Sequence, residues 1–164
     1  MKRKLTYSVL FLFSFIFTQA SIALEPTQSA TQQVKNILSL KEAPTGIVFE
    51  IVTGAENSLK WALPQTKKHI AKLRNRFPKI DIAIVTHGDE QFALTTKNNK
   101  KYKKVHSLTQ QLTQQDNIPL HVCGTYAGWN NISEEEFPAY VDVTAAGPAT
   151  INDYVALGYI LIKL

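Results

Sequence analysis

Residues 46–52 and 80–85 are runs rich in β-branched and aromatic side chains, and between them Leu63, Ile70, Leu73 and Phe77 recur at helical spacing. A chain that switches period in this way, strand to helix to strand, is committed to βαβ units. Both runs read as strands buried on both faces. Pro64 suits the first turn of the intervening helix and Pro78 its stop. The opposite face of that helix carries Lys67, Lys68, Lys72, Arg74 and Arg76, which read as a solvated surface. A second helix is marked by Val105, Leu108 and Leu112, after a lysine-rich loop at 97–104 whose charges are expected to stay in water. The last third repeats the alternation in shorter pieces. Ser133 and Glu136 form a capping box, 140–143 a fourth strand candidate, 148–157 a helix with Ile151, Tyr154 and Val155 inward, and 159–162 a fifth strand. The expected fold is a three-layer α/β/α sandwich with a mainly parallel sheet of about five strands.

The start of the chain has a different logic. Lys2, Arg3 and Lys4 make a basic n-region, residues 7–17 an apolar core too short to span a membrane, and Ser21, Ile22 and Ala23 a small-residue cleavage site. Residues 1–23 therefore read as a signal peptide, 24–45 as a linker with a short helix around Val34, Ile37 and Leu38, and 46–164 as the α/β domain. The mature product is expected in the periplasm or secreted, without stable membrane insertion. Taking Lys2, Arg3 and Lys4 from the 18 basic residues leaves 15 against 13 acidic, so the formal charge of +5 falls to +2. That balance gives no reason to expect nucleic acid as a partner. With a single cysteine an exported chain cannot close an internal disulfide, so the fold rests on its core. The thiol must then be buried, paired between chains, or reactive.

In an open parallel sheet the segments after the strands gather at one edge, which is where a site belongs. Four such segments are expected: 53–57, 86–91, the turn at Cys123, and 144–147. Cys123 is the candidate nucleophile. It stands where the strand ending at Val122 gives way to a glycine-bearing helical turn, and unpaired N–H groups at such a turn stabilise a thiolate. It is equally placed to be a small buried core residue. His87 is the candidate base toward Cys123 if their strands are neighbours, and His121, two residues before the cysteine on the same face, is a second candidate partner. Thr53, Asn57, Gly124, Thr125, Trp129 and Asn130 are the expected substrate-binding surroundings, although Trp129 has the alternative of simply packing. Asp89 and Glu90 read as solvated loop charges. No phosphate-binding loop, dinucleotide fingerprint or nucleophile-elbow serine is present, and one cysteine with two histidines falls short of a zinc site, so neither metal nor cofactor is expected.

The strand-to-cysteine segment 118–123, the loop to Asn131 and Ile132, the acidic turn after it and the ending Gly158, Tyr159, Ile160 resemble the DsrE/DsrF-like family of sulfur-handling proteins, over about residues 46–164. The resemblance implies that Cys123 carries sulfane sulfur as a persulfide, that donor and acceptor are proteins or small thiols, and that the domain forms homo-oligomers, trimers or hexamers. Several sulfur-transferring members carry an arginine followed by glycine after the cysteine loop; here the residues are Asn130 and Asn131, and Asn131 can still take the left-handed conformation of such a turn. Three classes stay open: an exported sulfur carrier or sulfurtransferase-like protein, a non-catalytic module binding a small ligand or soft metal, and a structural subunit with an inert cysteine.

Overall fold

The computed structural model describes residues 28–164; the expected signal peptide and residues 24–27 of the linker lie outside them. The chain runs α1 (Ala30–Leu38), β1 (Gly46–Ile51), α2 (Leu59–Arg76), β2 (Asp81–Thr86), α3 (Lys103–Gln110), β3 (Leu120–Cys123), α4 (Gly124–Trp129), β4 (Asp142–Thr144), α5 (Gly147–Ala156) and β5 (Tyr159–Lys163). The five strands form one sheet in the order β4-β3-β2-β1-β5, every neighbouring pair parallel. The α/β sandwich read from the period switches is the observed fold.

That order follows from the handedness of crossovers. From β1 the chain steps outward through β2 and β3 to β4, which sets α2 and α3 on one face; α5 returns over the other face to bring β5 beside β1. Alternation along each strand then divides the interior. Ile47, Phe49, Ile51, Ile82, Ile84, Leu120 and Val122 point to the α1–α2–α3 layer and join Val34, Leu59, Leu63, Leu73 and Val105 in the main core. Val48, Ala83 and Val85 point the other way, onto Ile151 of α5. Each large apolar side chain buried in this way contributes about 1.5–3 kcal/mol. The main core includes Val34 and Ile37 of α1, so the short helix expected in the linker packs onto the sheet's domain.

Three local expectations are corrected. α2 is entered from a 3-10 turn at Glu56–Ser58, earlier than its apolar pattern suggests, so Pro64 falls in the second turn and leaves the Lys60 carbonyl without its helical donor. The lysine-rich segment is only partly loop. Two 3-10 turns, Asp89–Leu94 and Thr96–Asn98, follow β2, Lys103 and Lys104 already belong to α3, and α3 ends in a π-helical turn at Gln111–Gln115 that still buries Leu112. On α5, Ile151 is buried and Tyr154 half-buried, but Val155 is 45% exposed, because one short helix cannot cover the whole of its face of the sheet.

Candidate functional site

The C-terminal ends of the strands meet at one edge, and on the α5 face each contributes a side chain there. Glu50 of β1 is in register with Lys163 of β5. On the other side, Val85 and Thr86 pair with His121 and Val122, so the next residue, His87, comes opposite Cys123, which itself pairs with Thr144 of β4. Glu50 itself pairs with Val85, two residues before His87, so Lys163, Glu50, His87 and Cys123 form a staggered row on one face of four adjacent strands. His87 Nε2 donates to Glu50 Oε1 at 2.9 Å, and Lys163 Nζ lies 3.1 Å from Glu50 Oε2, an ion pair without hydrogen-bond alignment. A carboxylate only accepts, so in the neutral ring the proton sits on Nε2 and Nδ1 carries the lone pair. A cavity of about 280 Å3 opens over Glu50, His87 and Lys163, between Val52 and Leu164. It sits where the chain order reverses, β1 flanked by β2 on one side and β5 on the other, which is the crevice such sheets use for ligands.

Cys123 ends β3 and caps α4, its Sγ accepting the Tyr126 N–H at 3.4 Å. It is a free thiol, 5% exposed. The start of α5 presses on it from above. A Cβ at Gly147 would stand 2.7 Å from His87 Cβ and 3.4 Å from Cys123 Cβ, so only glycine allows this approach and the two side chains border the same backbone atom. Gly124 is similarly confined, its would-be Cβ 3.1 Å from the Thr144 carbonyl oxygen. Thr125 fastens α4 to the loop after β4, with its N–H and Oγ1 both donating to the Ala145 carbonyl, at 3.0 and 2.6 Å.

Beneath the edge lies a buried polar scaffold. The Gln91 amide clamps the cysteine backbone, Oε1 accepting the Cys123 N–H at 2.8 Å and Nε2 donating to the Cys123 carbonyl at 3.2 Å. Glu90, expected in solvent, is fully buried. Its Oε1 accepts from Thr86 Oγ1 and the Gly88 N–H, its Oε2 from the Thr53 N–H and Thr53 Oγ1, at 2.5–2.9 Å. Four donors replace the water a carboxylate would otherwise keep, which is why a charge is tolerated there. Asp89 accepts from Tyr126 Oη, and that bond raises the phenol's pKa; the Tyr126 ring stacks on Phe92.

The remaining sequence candidates occupy distinct places. His121 shares the face of Cys123, as its spacing predicts, but its Nε2 is 3.0 Å from Tyr154 Oη and its Nδ1 3.8 Å from Asp142. Burial holds its pKa below the ordinary value, with Asp142 pulling the other way. It braces α5 against the sheet. Thr53 belongs to the Glu90 junction, while Asn57 lies exposed in the 3-10 turn before α2, away from the row. Trp129 is 76% exposed, edge-on to Tyr126, and Asn130 donates Nδ2 to the Tyr126 carbonyl. Asn131 has φ 56°, the left-handed turn expected of it. Sequence reasoning missed Glu50, Lys163 and Gln91; the signal for the first was an acid inside the otherwise apolar strand Gly46–Ile51.

An all-parallel sheet with a lone cysteine at the carboxyl end of a strand, capping the helix that follows, defines the class of fold and site. The model of the DsrE/DsrF-like family matches residues 15–164, and the chain belongs to that family. Among solved structures it is similar to MTH1491 of Methanobacterium thermoautotrophicum, a protein of unknown function, at 17% identity and a TM-score of 0.57, covering 72% of this chain and 97% of that one. It is also similar to BT1422 of Bacteroides thetaiotaomicron, likewise of unknown function, at 13% identity and a TM-score of 0.50, covering 71% and 94%. These likenesses concern the fold alone. No curated protein matches the chain.

Proposed function

We propose that this protein carries or transfers sulfane sulfur as a persulfide on Cys123. The supporting observation is that His87 and Cys123 border the same atom of Gly147 while Glu50 occupies His87 Nε2, which leaves Nδ1 available as a base. His87 takes the thiol proton, directly or through one water. The Cys123 thiolate attacks the terminal sulfur of a donor persulfide; the new S–S bond forms as the donor's S–S bond breaks, and the departing donor thiolate takes the proton from His87. An acceptor thiolate then removes the terminal sulfur from Cys123 in the same way, so no external oxidant or reductant enters. Intact mass spectrometry before and after incubation with a small persulfide donor tests the reading. A gain of one sulfur atom, lost in Cys123→Ser, supports it; no gain by the folded native protein overturns it.

The cavity over Glu50, His87 and Lys163 favours one other reading, a module that binds a small ligand without transferring sulfur. It predicts ligand binding that survives Cys123→Ser. The basic n-region and the small residues before Leu24 support export, with a mature chain beginning near Leu24, which N-terminal sequencing from the native compartment checks. Among the described residues no helix is long and apolar enough to cross a membrane. A homo-oligomer is proposed on the thinly covered α5 face, where Val155 and Leu157 are 45% and 67% exposed; light scattering should find a multimer that Leu157→Glu dissociates.

A further inference from the structure

On the layer opposite α5, helices α2 and α3 begin side by side and enclose a trough of about 440 Å3. Its walls are apolar, formed by Leu59, Pro64, Val105, Leu108 and the Tyr102 ring. Its rim is cationic, with Lys60, Lys100, Lys101, Lys103 and Lys104, and no acidic residue lines it. Lys101 pairs with Glu56 at 2.7 Å, and Lys60 and Lys101 lie over the Tyr102 ring at 5.0 and 4.8 Å. Lys60, Lys100, Lys103 and Lys104 have no carboxylate partner among the described residues.

The placement of these lysines runs against the helices that carry them. Lys60 is in the first turn of α2, and Lys103 and Lys104 open α3; neither helix has a capping side chain or an acidic residue in its first turn. Cations at the positive end of a helix repel its dipole, and no side chain caps the N–H groups there. A purely solvated surface gains nothing from this arrangement. An anion at the mouth of the trough relieves the repulsion. The apolar walls ask for more than an inorganic ion, and the volume lies in the usual range for a small organic ligand, about 300–1,000 Å3.

We propose that the trough binds an anionic amphiphile of the long-chain carboxylate class, its head among the lysines at the two helix starts and its apolar body along Leu59, Pro64, Val105 and Leu108. This site is separate from the thiol row and does not depend on sulfur chemistry.

Isothermal titration of the mature protein with dodecanoate, below the concentration at which it forms micelles, tests the assignment. Dodecanol and acetate, each lacking one half of the recognition, are the controls. One dodecanoate per chain is expected, each control binding about tenfold more weakly or less, and added salt weakening the complex. The exposed double variant Lys103→Glu/Lys104→Glu should lose about tenfold in affinity while its unliganded form melts no lower than the native protein, since acids suit a helix start. A second variant, Leu108→Asp, should weaken dodecanoate through the apolar wall. Equal binding of dodecanol and dodecanoate, no loss in either variant, or association only with anionic vesicles and not with free dodecanoate would overturn the proposal.

Discussion

His87 Nε2 and Glu50 Oε1 lie 2.9 Å apart, across neighbouring strands, and Cys123 ends the strand on the other side of β2. The carboxylate occupies one ring nitrogen and leaves the other as the proposed base for the thiol. Glu50→Gln should therefore slow alkylation of Cys123 by about tenfold, and His87→Ala by at least as much without abolishing it. Added imidazole should restore rate to His87→Ala and not to Glu50→Gln. Stopped-flow alkylation measures all three; unchanged rates in both variants would remove the base from the mechanism.

Gly147 has no room for a methyl group, its ideal Cβ position being 2.7 Å from His87 Cβ. Gly147→Ala should cost about 1–3 kcal/mol in urea unfolding, because backbone and a β-carbon must separate. It should also change the alkylation rate of Cys123, although Gly147 offers no chemistry of its own. Native stability together with a native rate would show that α5 does not hold the pair.

Glu90→Gln replaces an acceptor of four hydrogen bonds by an amide that brings donors of its own. A loss of about 3 kcal/mol is expected, since hydrogen bonds to a charged group are strong and one or more donors is left unpaired. Thr53→Val, which removes one of the four and keeps the shape, should cost about 1 kcal/mol. Both are read from chemical denaturation.

Burial lowers the pKa of His69, His106 and His121 from the ordinary value of 6.5. In the window between the depressed folded values and 6.5 the unfolded chain binds protons that the folded chain refuses, so stability rises with pH there. The protein should keep its full stability from these groups above 6.5 and lose it on acidification, with a slope of at most about 1.4 kcal/mol per pH unit for each histidine. His69, stacked on Phe49 with an unpartnered Nδ1, is the one to replace. His69→Phe should flatten the curve of urea midpoint against pH, and an unaltered curve would assign the acid sensitivity elsewhere.

Features that depend on nearest neighbours in the chain are legible in the sequence. The strand runs, the Ser133 capping box and the left-handed Asn131 each follow from a few adjacent residues, and the edge shared by His87 and Cys123 follows from parallel strands alone. Glu50 and Lys163 are not legible there, because their meeting requires β5 to lie beside β1, a pairing across more than a hundred residues that no local pattern announces. Glu90 misleads for a related reason. Its burial is tolerable only through donors at Thr53, Thr86 and Gly88, and hydrogen-bond compensation between loops leaves no mark in composition. The lysines at the start of α3 read as a solvated run because the apolar trough beneath them is made jointly with α2.

In the proposed mechanism strand register, more than any loop, decides whether the thiol has a base. Lengthening the connections between strands would leave Glu50, His87 and Cys123 where they are. Slipping β2 by one residue would turn His87 to the opposite face and bring Thr86 or Gly88 level with the sulfur. The arrangement has no graded intermediates: the sheet zips in one alignment and the pair exists, or it zips in another and the cysteine is chemically alone.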